Sequence, residues 1–105
     1  MRTINRLLLF LAIGVAVGFA KEPGVSYSGG DGSSFDHAIV IKAPNEQSGV
    51  PAEYAYIARH YPGYHRGSQA LLGHGHRAFD VLEFTTKEGK KKTLYFDITS
   101  FLGKH

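Results

Sequence analysis

Apolar and polar residues alternate along four stretches of the chain, the pattern of strands with one buried face. The predicted strands are 35–42, 64–72, 78–86 and 91–98. The third changes phase, because Phe79 and Val81 share one face whereas Leu82 and Phe84 share the other. This predicts either a bulge near Val81 and Leu82 or a strand that is covered on both faces.

Strand 91–98 alternates without a break. Leu94, Phe96 and Ile98 are expected to point inward. Thr93, Tyr95 and Asp97 are expected to point outward. A turn at 87–90 joins this strand to the one before it, and its composition is typical of a hairpin.

Apolar residues recur at helical spacing after residue 48, which predicts one helix. Proline is tolerated in the first helical turn, so Pro51 places the start near Ser48 or Gly49. Pro62 ends the helix. The inward face comprises Val50, Tyr54, Ile57, Ala58 and Tyr61, and the outward face comprises Glu53, Tyr56, Arg59 and His60.

These elements predict an α+β fold in the order β-α-β-β-β. Short connections favour a four-stranded, mainly antiparallel sheet, with the helix packed on one face. The other sheet face is expected to stay partly open. Such a topology carries no function by itself.

Residues 1–20 have the features of an export signal. Arg2 and Arg6 precede an apolar run from Leu7 to Phe19, and Ala20 offers a small residue at the cleavage position. The run is shorter than the roughly 20 residues that span a bilayer. We expect cleavage after Ala20 and a periplasmic or extracellular protein without a stable membrane span. An uncleaved tether is the alternative.

Residues 21–34 are rich in Gly and Ser, and we expect a flexible arm before a single domain at 35–105. The stretch 29–34 lacks the lysine and glycine spacing of a phosphate-binding P-loop.

Charge and cysteine content exclude two classes of protein. Of the 12 basic residues, Arg2 and Arg6 lie in the leader, which leaves 10 against 9 acidic ones. This near-neutral balance does not favour nucleic-acid binding. The chain has no cysteine, so its stability comes from packing rather than disulfides.

Five short segments carry a resemblance: 30–34, 52–56, 61–64, 95–98 and 101–104. They resemble a group of short exported bacterial proteins. Pro51 and the histidines of the 74–76 turn depart from that group's pattern. The resemblance implies export but no activity, so no catalytic residue follows from it.

His74 and His76 are a candidate metal pair, since alternate residues of a strand share a face and imidazole binds zinc or copper. Flanking glycines and the lack of a third ligand nearby favour a solvated turn. We therefore predict no metal site and no cofactor.

Asp97 and Tyr95, with a histidine, are the candidate groups for a small hydrolase. Asp97 could instead cap the final turn or pair with Arg or Lys. No catalytic residue is assigned on this basis.

A third candidate is a basic and aromatic surface at the helix end. It comprises Tyr56, Arg59, His60, Tyr64, His65 and Arg66. Tyrosine and arginine are enriched where binding energy concentrates. The sequence therefore favours a noncatalytic module that binds an exported protein, an envelope polymer or a small ligand. A hydrolase and weak metal binding are the alternatives.

Overall fold

The structure, a computed structural model, describes residues 24–105. In these residues it contains five strands and one helix: β1 (Ser26–Gly29), β2 (Ile39–Lys42), α1 (Glu46–His60), β3 (His65–His74), β4 (Arg77–Thr85) and β5 (Lys91–Asp97). The predicted α+β fold with one helix is confirmed. The predicted export signal at 1–20 lies outside the described residues.

The five strands form one sheet in the order β1-β2-β5-β4-β3. β3, β4 and β5 form the predicted antiparallel meander. β2 pairs with β5 in parallel, because α1 carries the chain from β2 to the far edge and the meander then returns. The sheet is therefore mixed and has five strands, which corrects the prediction of a mainly antiparallel sheet of four.

The additional strand, β1, lies in the segment that we predicted to be a flexible arm. It pairs antiparallel with β2. Gly32, also in that segment, is buried with a φ of +84°, and a Cβ there would lie 2.8 Å from Ile39 Cδ1. The segment also adds side chains to the core, since Val25 is buried in it and Tyr27 packs against it. These two residues are surrounded by Gly and Ser, so the overall composition of the segment did not indicate a strand.

α1 begins at Glu46, earlier than predicted, because Asn45 supplies the N-cap. The Asn45 side chain accepts a hydrogen bond from the Ser48 N–H at 3.0 Å. Pro51 thus lies inside the helix rather than in its first turn. The helix ends as predicted before Pro62, where the Tyr61 N–H donates to the Ile57 carbonyl at 2.7 Å.

The main core lies between α1 and one face of the sheet, here called the helix face. Phe96, Leu94 and Ile98 are buried as predicted. The buried side of α1 differs from the prediction, since it includes Gly49, Ala52, Glu53 and Ile57. Val50 and Ala58, predicted to point inward, are exposed.

The second face of the sheet, which we expected to stay partly open, is covered at one end, whereas Leu72 of β3 remains 42% exposed on it. Phe35 leaves the predicted first strand, which is shortened to β2, and packs edge-on against Phe79 and Tyr95 with ring centroids 5.0 Å apart. Burial on both faces explains the phase change in β4. The β4–β5 register is continuous from Phe79 to Thr85, and the irregularity lies in β3 between Arg66 and Gln69.

Candidate functional site

A cleft of about 430 Å³ lies beside the β3–β4 turn, on the face opposite α1. Its lining residues are Phe35, Asp36, His74, Gly75, His76, Arg77 and Phe79. The cleft forms because the 30–38 segment folds over the sheet and brings Phe35 to the end of β3. Gly75 has a φ of +63°, which permits the tight turn between the two strands.

Aromatic rings form one wall of this cleft. The rings of Phe35 and His74 stack almost in parallel, with centroids 4.2 Å apart. Phe79 meets Phe35 edge-on at 5.0 Å. Such a wall offers a ligand a flat apolar surface beside an imidazole.

A fixed cation lies at the same cleft. Arg77 Nη1 donates to Asp97 Oδ2 at 2.6 Å, and 62% of the Arg77 side chain is exposed whereas Asp97 is buried. A guanidinium carries five N–H donors, so this ion pair leaves others for a ligand. The buried carboxylate thus orients Arg77 without enclosing it.

Thr99 holds Asp97 in turn. The Thr99 N–H and hydroxyl donate to Asp97 Oδ1 at 3.0 and 2.6 Å. The Thr99 hydroxyl oxygen also accepts from the Ala78 N–H at 3.0 Å. This network ties the ends of β4 and β5 together and holds the Arg77 guanidinium in one orientation.

The same contacts bear on the hydrolase alternative. Both Asp97 oxygens accept hydrogen bonds, and the carboxylate caps the final turn through Thr99 and pairs with Arg77. Tyr95 is half-buried against Phe35. Asp97 therefore has the structural role that the sequence offered as its alternative, and its geometry does not favour a general base.

His74 and His76 both line the cleft, but the structure adds no further ligands to them. Within residues 24–105 no group of three or more His, Cys, Asp or Glu side chains could hold a metal ion. The His74 ring is engaged in stacking on Phe35. Both imidazoles therefore belong to the lining of the cleft, and only His74 belongs to the stacked aromatic wall.

The basic and aromatic surface predicted at the helix end divides into two groups, which lie on opposite flanks of α1. Tyr56 and His60 stack with centroids 4.0 Å apart. Tyr56 also contacts Tyr27 of β1 and Phe96 of β5, so it is half-buried rather than outward-facing. Arg59 is exposed on the same helix.

The second group lies towards β3 and β4. The Arg66 guanidinium carbon is 3.7 Å from the centroid of the Tyr54 ring, a cation–π contact. Tyr64 packs edge-on against Phe84. His65 is exposed beside them. The six predicted residues therefore do not form a single patch.

Sequence reasoning missed a buried pair of carboxyl groups. Glu53 of α1, predicted to point outward, is 0% exposed, and Asp80 of β4 is 3% exposed. Within residues 24–105, no backbone N–H, hydroxyl or basic side chain donates a hydrogen bond to either Glu53 carboxyl oxygen. A proton shared with Asp80 is the remaining way to satisfy this buried group.

The protonation of Glu53 follows from this burial. Desolvation, a hydrogen bond with Asp80 and the negative charge of Asp80 raise the pKa of Glu53 to about 10. Glu53 is therefore neutral at physiological pH, and its carboxyl O–H can donate a hydrogen bond to Asp80. The sequence did not indicate this contact, because Glu53 was predicted to lie on the outward face of the helix and Asp80 belongs to a strand far along the chain.

Comparison with protein-family models, curated proteins and solved structures finds no match to this chain. In residues 24–105 no helix has the length and apolar character needed to cross a membrane.

Proposed function

We propose that this protein is an exported, noncatalytic binding module that takes a small anionic ligand with an aromatic or flat apolar part. The ligand occupies the cleft beside the β3–β4 turn. The observation that carries the proposal is the Arg77–Asp97 ion pair at 2.6 Å beside the stacked Phe35 and His74 rings.

Two features support an anion rather than a neutral or cationic ligand. Arg77 is oriented by a buried carboxylate yet is mostly exposed. His74 and His76 add imidazole N–H groups that can donate hydrogen bonds to an anion. The lining contains one acidic residue, Asp36, which is exposed. A carboxylate or phosphate beside Arg77 can accept two parallel hydrogen bonds.

The test is an NMR titration of the processed protein with 2-naphthoate, compared with neutral 2-naphthol and cationic 2-naphthylmethylamine. We expect 2-naphthoate to shift the amide signals of His74 to Phe79 and to bind about tenfold more tightly than the other two compounds. Equal affinity for all three, or shifts elsewhere, would contradict the proposal.

Arg77→Gln is the informative variant, because it removes the charge while keeping a polar side chain of similar length. It should weaken 2-naphthoate binding by about tenfold, whereas Arg77→Lys should weaken it less. Arg66→Gln, an equal charge change on the helix face, is the matched control and should leave binding within about twofold.

Export is a separate part of the proposal and has its own test. Expression of the full chain in a Gram-negative host, followed by intact-mass measurement of the periplasmic fraction, should give a product that starts at Lys21. If the protein instead keeps residues 1–20 and is found in the membrane fraction, it is tethered to the membrane rather than released.

A further inference from the structure

β3 is an edge strand, since it pairs with β4 and ends the sheet order. All ten of its residues are exposed. The strand at the opposite edge, β1, has only four residues. Every second residue of an edge strand directs its N–H and C=O away from the sheet, so β3 presents unpaired backbone groups over a long distance.

Few of the features that usually protect a sheet edge occur in β3. It contains no proline, lysine or acidic residue. Its irregularity is confined to the stretch between Arg66 and Gln69, and the register with β4 is regular from Gln69 to His74. Leu71 and Leu72 are 57% and 42% exposed on its two faces. Six regular residues with an apolar centre are thus open to another strand.

Basic residues predominate in the segment that contains this edge, although the exposed Glu83 of β4 lies beside it and accepts a hydrogen bond from the Ser68 hydroxyl at 2.7 Å. Residues 54–79 contain no Asp or Glu, whereas they contain three arginines and four histidines. Three of these residues lie within β3 at its two ends: His65 and Arg66 at one end and His74 at the other. The apolar centre of the edge is therefore flanked by positive or ionisable groups.

We infer that β3 binds an extended acidic peptide, which adds to the sheet as a sixth strand. Backbone hydrogen bonds to Gln69–His74 provide the pairing, and apolar side chains of the peptide pack beside Leu71 and Leu72. Acidic residues flanking that apolar centre complement Arg66 and His74. This inference goes beyond the cleft proposed above, because the edge extends away from it and includes only His74 from its lining.

A second copy of the chain fits this edge less well. A two-fold pairing of β3 with itself would join two strands that have no acidic residue and that each carry Arg66 and two histidines. Like charges across a strand pair destabilise it. Charge complementarity therefore favours an acidic partner.

The probe is the blocked peptide Glu-Thr-Glu-Val-Leu-Val-Glu-Thr-Glu, in which apolar residues are central and acidic residues flank them. We expect saturable binding that slows amide hydrogen exchange at Gln69 to His74. The same peptide with every Glu replaced by Lys should bind at least about tenfold more weakly. A version with proline at both Val positions lacks the central donors and should not bind.

Leu71→Glu and Leu71→Lys separate charge from shape. Leu71→Glu places an acidic group on the edge and should weaken binding of the acidic peptide by about tenfold or more. Leu71→Lys should bind the peptide at least as well as the unmodified protein does. Ser28→Glu, the same charge at the exposed β1 edge, is the matched control and should change affinity less than about twofold.

Three results would overturn the inference. The first is equal affinity for the acidic and Lys peptides. The second is binding that leaves Gln69 to His74 unprotected. The third is a concentration-dependent dimer, measured by light scattering, in which these amides are already protected without peptide, since a second copy would then occupy the edge.

Discussion

At the residue scale, the most unusual group in the described chain is Glu53, a neutral carboxyl group inside the core. Hydrophobic packing would stabilise this position more than a carboxyl pair, since buried ionisable groups lose their hydration. Both members of the pair are buried, since Glu53 is 0% and Asp80 is 3% exposed. The cost of burying Glu53 thus depends on pH.

This dependence has a definite sign. The pKa of Glu53 is about 10 in the folded protein and near its ordinary value of about 4.3 in the unfolded chain. Between these values the folded state holds a proton that the unfolded state releases. The contribution of Glu53 to the free energy of unfolding is therefore greatest below about pH 4. It falls as pH rises towards 10, by up to about 1.4 kcal/mol per pH unit.

Glu53→Gln tests this assignment, because an amide keeps a donor towards Asp80 without titrating. From pH 5 to pH 8 the free energy of unfolding of the unmodified protein should fall by on the order of 2 to 4 kcal/mol relative to the variant. Urea unfolding followed by circular dichroism measures it. Glu88→Gln, in the exposed 87–90 turn, is the control, and its free energy of unfolding should change with pH as that of the unmodified protein does. If Glu53→Gln shows the same pH dependence as the unmodified protein, Glu53 does not hold the proton.

Asp97 offers a second prediction at this scale. Asp97→Asn keeps the size of the side chain but removes the charge that pairs with Arg77 and turns one acceptor into a donor. Because hydrogen bonds to a charged group contribute about 1.5 to 3 kcal/mol, the variant should lose stability of that order. It should also weaken 2-naphthoate binding, since Arg77 loses its orientation. Urea unfolding and the same NMR titration measure the two effects, and unchanged values for both would contradict the role given to Asp97.

At the element scale, the position of α1 depends on a contact at its N-terminal end. Gly49 is buried against Phe101, and a Cβ at Gly49 would lie 2.5 Å from the Phe101 ring. The Glu46 side chain also accepts a hydrogen bond from the Gly103 N–H at 2.6 Å. These contacts fix the start of the helix to the C-terminal turn, so α1 approaches the sheet closely at this point.

Gly49→Ala should therefore destabilise the protein, although alanine favours an isolated helix by about 1 kcal/mol. Overpacking against Phe101 costs about 1 to 3 kcal/mol, which exceeds that gain. Gly73→Ala is the matched control, because a Cβ at Gly73 meets no atom within 4 Å. Thermal unfolding distinguishes the two, and a stabilised Gly49→Ala would show that α1 does not pack on Phe101.

At the scale of the whole molecule, one sheet carries two unequal cores. The helix face holds the larger core, which includes Phe96, Ile57 and Phe101, all 0% exposed. The opposite face holds a smaller aromatic layer built by Phe35 over Phe79 and Tyr95. The cleft lies at the edge of this smaller layer, where binding disturbs few core contacts.

Phe96→Ala should be the more damaging of two aromatic truncations. It removes a fully buried ring and should cost about 3 to 5 kcal/mol, a large part of the roughly 5 to 10 kcal/mol expected for a domain of this size. Tyr61, which the sequence placed in the core, is half-buried beside Phe84, so Tyr61→Ala should cost less. Denaturant unfolding ranks them, and equal losses would mean that Tyr61 is as buried as Phe96.

The local patterns in the sequence determined the helix, its end at Pro62 and the meander of β3, β4 and β5. They did so because alternation and helical spacing depend on neighbours along the chain. The inward residues Leu94, Phe96 and Ile98 followed from the same rule. The capping role of Asp97 could also be predicted from the sequence, since its partner Thr99 is only two residues away.

Only the tertiary structure decided the rest. β1 has only four residues, and the two apolar side chains that this part of the chain adds to the core, Val25 and Tyr27, form too short an alternation to predict a strand. The parallel β2–β5 contact joins residues far apart in sequence, so it leaves no local pattern. The turn of the chain that brings Phe35 onto β4 creates the cleft. Glu53 and Asp80 meet because α1 crosses the sheet at one particular angle and rotation. Such meetings depend on packing in three dimensions, which the spacing of residues along the chain does not encode.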